Sequence, residues 1–344
     1  LLKNLHKFIF LSTLMMGTLI STSSYSWLGT WMGLEINLLS FIPLMNSTKN
    51  LLSSEASIKY FLVQALSSII FLFSIIFSMT MNNFLNETIF LNNIVILIMN
   101  SALLMKMGSA PFHFWFPEVM DELNWINCMI LTTWQKIAPF VLISYSLKNT
   151  SFFISIIMMC SLIGGLGGIN QTSLRKILAY SSINHLSWMM AAMMISETMW
   201  MYYFLFYCFI SINIMILLNN LNIYYLKQMY SAMNQNMIIK FCFISNFFSL
   251  GGLPPFLGFF PKWIIIQYLS NMNLNFLSLF MIIMTLITLF FYIRISFSGI
   301  MLNYNEMNWI YIANKSVYKN FFMFNMLFFS IFGLILMTLM FNFY

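Results

Sequence analysis

Charge is scarce in this chain of 344 residues: only 7% of them are Asp, Glu, Lys or Arg. A soluble domain carries about a quarter charged residues, so water is excluded as the main solvent of this surface. Cysteine is scarcer still, and the four present (Cys128, Cys160, Cys208 and Cys242) lie far apart, each in an apolar stretch. With no CxxC or Cys/His ligand spacing, neither a disulfide framework nor a metal site is encoded. The cysteines read as small apolar fillers of helix surfaces. Acidic residues are few as well: 8 Asp and Glu against 15 Lys and Arg leave a net charge of +7. The basic residues are scattered singly and form no stripe, which argues against nucleic acid as a partner. The longest linkers, near 220–237 and 301–319, are too short for a folded ligand-binding domain.

Apolar residues fill the space that these absences leave, at 61% of the chain with a mean hydropathy of +0.86. Runs of roughly 20 apolar residues, enough to cross ~30 Å of hydrocarbon, recur from end to end. Hydropathy and turn signals place spans near 5–24, 26–45, 57–80, 89–116, 125–146, 150–169, 174–195, 198–219, 238–268, 274–300 and 320–342. Backbone groups in hydrocarbon need partners within their own segment. The expected fold is therefore an all-α polytopic membrane protein of about eleven transmembrane helices. Lys3 and Lys7 ahead of the apolar run Phe8–Ile20 imitate a signal peptide. Without a clear small-residue cleavage site, and with many spans following, the run reads as span one. Leu1 reads as a trimmed start or an alternative start codon.

An odd number of spans puts the termini on opposite sides. With the N-terminus on one side, Lys3, Lys7, Lys49, Lys59, Arg175, Lys176, Lys227, Lys240, Lys315 and Lys319 all fall at or near that side. The other side keeps little more than Lys148. Positive residues favour the cytoplasm or mitochondrial matrix, which predicts an inside N-terminus and an outside C-terminus.

Spans four and nine share an unusual string. The first reads Gly108-Ser-Ala-Pro111-Phe112-His-Phe-Trp-Phe116-Pro117-Glu118, the second Gly252-Leu-Pro-Pro255-Phe256-Leu-Gly-Phe-Phe260-Pro261-Lys262. Gly, Pro, Phe, Phe and Pro coincide at a constant offset of 144 residues, in a chain with only 7 prolines. The offset covers five spans, so the copies cross the membrane in opposite directions. This predicts an inverted repeat, 1–148 and 149–300, with a linker and C-terminal helix in 301–344. Proline removes an amide donor and clashes with the carbonyl four residues back. The backbone near Gly108 and Pro111, and again near Pro254 and Pro255, should be unwound, which is tolerated only inside protein or beside a water-filled cavity. One such kink is a common packing feature; two in matching positions of two halves point to an ion or substrate pathway.

Ionisable residues also fall inside the predicted spans: Glu35 in span two, Lys106 in four, Lys136 in five and Lys262 in nine. A charge at a helix centre costs ~2.5–3.5 kcal/mol on insertion scales, so each needs a partner or a hydrated cavity. Lys106 immediately precedes one break and Lys262 follows the other, where freed carbonyls can solvate an ammonium group. Desolvation disfavours the charged form of a lysine and a nearby carboxylate favours it. Lysines held between those pulls exchange protons near neutral pH, and a row of them joined by water is a proton relay. Snorkelling is the alternative for Lys262. His113 and His185 read either as packing groups or as further carriers. Lys176, beside Arg175 at a span start, reads as a matrix-side anchor or as part of the cavity. Asn100 with Ser101, Gln64 with Ser68, Asn246 with Ser249, and the Thr285–Thr288–Tyr292 face are possible relay groups. Each reads equally as a helix–helix hydrogen bond. Glu118, Asp121 and Glu122 read as a solvated connection.

The strings Trp27-Leu-Gly-Thr-Trp-Met-Gly-Leu-Glu35-Ile-Asn, Ala110-Pro-Phe-His-Phe-Trp-Phe-Pro117, Thr133-Trp-Gln-Lys136-Ile-Ala-Pro139, Ser182-Ile-Asn-His185 and Gly251-Gly-Leu-Pro-Pro-Phe-Leu-Gly-Phe-Phe-Pro-Lys262-Trp carry a resemblance. Together they resemble the chain 2 family of mitochondrial NADH–ubiquinone oxidoreductase, of arthropod type, over essentially the whole chain. The 32 Met residues agree with an AT-biased animal mitochondrial gene, although Met also packs lipid-facing surfaces well. The resemblance implies an antiporter-like core subunit in the membrane arm of proton-pumping complex I. It implies that Glu35 pairs with Lys106, that Lys106 and Lys136 carry protons, and that Lys262 is the terminal carrier. Flavin, iron–sulfur clusters and quinone would belong to partner subunits, and this chain would hold no cofactor of its own. The expected partners are other membrane-arm subunits and lipids such as cardiolipin. The expected location is the mitochondrial inner membrane, N-terminus in the matrix and C-terminus in the intermembrane space. Sister antiporter-like subunits carry a second histidine soon after the first break, and 118–124 has none. Two rivals stand beside this reading: a free-standing cation/proton antiporter, and a non-pumping spacer of the membrane arm. The complete lysine series argues against the spacer, because dispensable buried charges are costly to keep.

Overall fold

The computed structural model describes residues 2–47, 50–81, 93–147, 150–235, 237–301 and 333. Two compact units divide the chain, Leu1–Ile156 and Ile157–Tyr344. The first contains α1 (Leu2–Ser23), α2 (Trp27–Met45), α3 (Leu51–Met81), α4 (Asn93–Met107), α5 (Trp115–Glu122), α6 (Trp125–Thr132) and α7 (Trp134–Tyr145). α8 (Thr150–Gly167) lies mostly in the second, followed by α9 (Leu174–Ile195), α10 (Glu197–Leu221), α11 (Leu226–Gln235), α12 (Met237–Gly251), α13 (Phe259–Asn271) and α14 (Asn275–Met301). Each predicted span from 5–24 to 274–300 is helical in whole or part. The last, 320–342, lies outside the described residues save Gly333. By length and composition, six described helical stretches can cross a membrane, among them α3, α10, α14 and the joined α6 and α7.

The two interrupted helices stop in the same way. α4 ends on Gly108 at φ +71°, with the Ser109 amide donating to the Leu104 carbonyl at 3.1 Å. α12 ends on Gly252 at φ +77°, with the Leu253 amide donating to the Phe248 carbonyl at 3.2 Å. A left-handed glycine that closes this long-reach bond is the Schellman stop, and it releases the carbonyls of the last turn from the helix ladder. Pro111 and Pro255 follow, each after a cis peptide bond. Helix resumes at Trp115 and at Phe259.

Two elements are not evident from the sequence. The linker near 220–237 holds α11, which buries Met229, Ala232 and Met233 and exposes Lys227 and Gln228. The Gln228 side chain accepts from the amides of Tyr224 and Tyr225 at 2.8 and 3.3 Å, which caps the helix start. An isolated bridge between Ser173 and Tyr225 ties this segment to the start of α9. The second is a break within span five, where Thr133 separates α6 from α7. The Thr133 hydroxyl donates back to the Met129 carbonyl at 2.6 Å, and Pro139 withholds an amide from the Gln135 carbonyl.

Candidate functional site

Lys106 and Lys136 share a cavity in the first unit. Both are buried, and both line a space of about 20 Å³ together with Asn37, Tyr60, Gln64, Trp115, Phe116 and Gln135. A buried water needs roughly 10–15 Å³ on this measure, so the cavity has room for one. Lys106 reaches it from the last turn of α4, and Lys136 from the first turn of α7 just after the Thr133 break. The Lys136 Nζ stands 5.3 Å from the Phe116 ring centre. Phe116 in turn fits against Gly108, where an added Cβ would come within 2.9 Å of the Phe116 Cβ.

Side chains take up the carbonyls freed at the first break. Gln64 Nε2 donates to the Lys106 carbonyl at 3.1 Å, Trp115 Nε1 to that of Met105 at 3.2 Å, and the Ser109 hydroxyl to that of Leu104 at 3.0 Å. The expected solvation of the Lys106 ammonium by those carbonyls gives way to this arrangement. Neutral donors hold the carbonyls. Glu35 on α2 is half-buried, and it makes no salt-bridge contact with Lys106 among the described residues.

The second break solves the same problem with its own lysine. Lys262 on α13 is buried, and its ammonium donates to the carbonyls of Gly251 at 2.9 Å and Leu250 at 3.3 Å. It lies 6.0 Å from the Trp188 ring centre. Lys262 is thus turned inward, and snorkelling is not its position. The bare Gly252 makes room for it, since a Cβ there would come within 2.9 Å of Lys262 Nζ.

The remaining candidates fall in other places. His185 is buried on α9, with Nδ1 at 2.8 Å from the Tyr203 hydroxyl and its ring 5.0 Å from that of Tyr207. His113 sits inside the first break, with Nδ1 at 3.3 Å from the Pro111 carbonyl and its ring 4.3 Å from Phe114. It does not line the cavity. Lys176 occupies the first turn of α9, half-buried. Of the possible relay groups only Gln64 reaches the cavity. Asn100 exchanges hydrogen bonds with Ser146, and Asn246, Ser101, Ser68 and Ser249 turn back onto carbonyls of their own helices. Thr288 accepts from Asn184 at 3.4 Å.

The acidic connection is not a solvated loop. Glu118, Asp121 and Glu122 lie on α5, and Lys59 of α3 meets Glu55 and Glu122 at 2.9 Å and Glu118 at 3.6 Å. One ammonium among three carboxylates pins the half-helix that carries Trp115 and Phe116. Its exposed members contribute little, whereas the Glu122 side chain is only 15% exposed. Lys59→Met is expected to loosen α5 by about 1 kcal/mol, read as roughly fivefold faster hydrogen exchange of its amides in the assembled protein. Glu118→Gln should leave that exchange unchanged.

Two interrupted helices, each with a buried lysine beside its break, lie in an all-helical protein with six described stretches long and apolar enough to cross a membrane. Residues 24–288 match the profile of the family described as NADH:quinone oxidoreductase/Mrp antiporter, transmembrane. A relative from Anopheles gambiae, named NADH-ubiquinone oxidoreductase chain 2, is 55% identical over 90% of each chain. A chain of respiratory complex I from Thermus thermophilus superposes with a TM-score of 0.79 at 20% identity, over 86% of this chain and 70% of that one. A chain of the Mrp complex from Dietzia superposes at 0.75 and 16% identity, over 84% and 59%. The chain belongs to the NADH-ubiquinone oxidoreductase chain 2 family, within the wider antiporter-like group.

Proposed function

We propose that this chain is a membrane-arm subunit of respiratory complex I and carries protons across the mitochondrial inner membrane. The observation that carries the reading is the pairing of Lys106 and Lys136 on one water-sized cavity beside an interrupted helix. Two like charges in a low-dielectric space repel strongly. Protonating one lysine therefore makes charge on the other more costly, and a proton moves on. Glu35, half-buried on α2, would offset the charge of Lys106 without a direct ion pair. Lys262, cradled by two carbonyls, serves as the terminal carrier. His113, His185 and Lys176 are possible further members.

The finer architecture belongs to the same proposal: eleven transmembrane helices, arranged as inverted repeats 1–148 and 149–300 with 301–344 appended. The matching glycine stops and helix restarts at a 144-residue offset support it. The N-terminus would face the matrix and the C-terminus the intermembrane space. Redox chemistry would belong to partner subunits holding flavin, iron–sulfur clusters and quinone, with no cofactor in this chain. Other membrane-arm subunits and lipids such as cardiolipin would surround it, and nucleic acid would not.

A free-standing cation/proton antiporter is the second reading, since the matched family's description names the Mrp antiporter beside NADH:quinone oxidoreductase. The cavity argues for protons over metal ions, because its walls carry two lysines and no carboxylate. Mild detergent extraction of the source membranes, native electrophoresis and mass spectrometry test the assignment. The chain is expected to co-migrate with NADH dehydrogenase activity and with flavin- and iron–sulfur-bearing subunits. Migration as a small free species would overturn it.

A further inference from the structure

We propose that the amide pair Asn37–Gln135, one member buried and the other half-buried, is a positioning element that fixes how Lys106 and Lys136 exchange protons, an inference that rests on the relay reading above. Gln135 Nε2 donates to Asn37 Oδ1 at 3.0 Å. Asn37 is 3% exposed and lies on α2, two residues after Glu35; Gln135 directly precedes Lys136 on α7. Both line the lysine cavity. α2 packs mainly on α1 and α3, whereas α7 packs on α4, α6 and α1. The amide bond is thus a direct polar tie between the helix of the carboxylate and the helix of the second lysine.

The chemistry of an amide suits this position. A lysine offers three donors and no acceptor when charged, and water passing between two lysines must be given acceptors and donors by the walls. With Gln135 Nε2 and Asn37 Oδ1 engaged in their mutual bond, the Gln135 carbonyl oxygen and the Asn37 NH₂ are the acceptor and donor that this pair, lining the cavity on both sides of the bond, still has to offer. The pair supplies one acceptor and one donor without ever taking up a proton, so it orders the water and cannot hold charge in place of the lysines. It also holds Lys136 at a set distance from Glu35 and Lys106 through a bond that changes in the lysine charges do not break.

The test compares Gln135→Met, Asn37→Leu and the double variant in the assembled complex, reading protons moved per NADH oxidised in sealed vesicles. Met keeps the length of Gln and removes its hydrogen bonds. Each single variant is expected to lose at least half of what Lys106→Met loses. The double should lose no more than either single, because the two side chains act as one unit, and Gln135→Asn should recover part of the yield. A normal proton yield in either single variant, or additive losses in the double, overturns the inference. If Gln135→Met does not assemble, Asn37→Leu decides by the same yield. Normal yield in Lys106→Met would instead reject the relay itself, which keeps the two failures apart.

Discussion

Lys106→Met is expected to stop proton movement through this chain while leaving the assembled complex in place. Two consequences of the substitution can be separated in advance. The lysine is buried at the end of α4, where its ammonium costs a few kcal/mol to keep in the membrane, ~2.5–3.5 on insertion scales. Met has a similar length and no charge, so the variant should insert at least as well as the natural chain. A loss of pumping would then not be a loss of folding. In sealed vesicles the protons moved per NADH oxidised should fall by this chain's whole contribution, with the complex intact on native gels. Lys136→Met should give the same loss, and the double variant no further loss, since groups acting as one relay are not additive. An unchanged proton yield in an intact complex would leave Lys106 as a structural charge and favour the spacer.

Much of this site is legible in the sequence, and the reasons are local. Gly108 and Gly252 stop their helices because a left-handed residue is needed there, and the prolines that follow cannot rejoin a helix ladder. Those rules act within a few residues, so the paired string exposed both breaks. The lysines stood out because charge is so scarce. What escaped notice depends on contacts across long separations. Lys59 finds Glu122 across 63 residues, Gln64 finds the Lys106 carbonyl across 42, and Gln135 finds Asn37 across 98. Nothing in the immediate neighbourhood of Asn37 marks it out in a chain rich in asparagine. The break at Thr133 is hidden for a different reason: Thr does not by itself end a helix, and the nearest proline, Pro139, lies inside α7 rather than at the break. α11 is inconspicuous in the sequence because the residues it buries, among those described, are Met229, Ala232 and Met233 in an otherwise polar stretch.

Gly252→Ala is expected to silence the second break without altering any ionisable group. The backbone there has φ +77°, where an L-residue costs about 1–2 kcal/mol. The second effect is steric. The new Cβ would lie 2.9 Å from both the Cδ and the Nζ of Lys262, too close for either to stay. The flexible end of the side chain has to shift, and the ammonium is expected to give up its bonds to the Leu250 and Gly251 carbonyls at 3.3 and 2.9 Å. Buried carbonyls without a donor cost about 1–3 kcal/mol apiece, so the helix end should also loosen. Proton yield per NADH is expected to match that of Lys262→Met, although the lysine is still present. Gly108→Ala supplies the contrast, because the Cβ at that break meets the Phe116 ring and Cβ, with no lysine among its nearest neighbours. It should therefore widen or distort the cavity rather than evict a charge, and its loss should be smaller. Normal yield in Gly252→Ala, with the complex intact, would mean that the carbonyl cradle only parks Lys262, and that its charge acts from elsewhere.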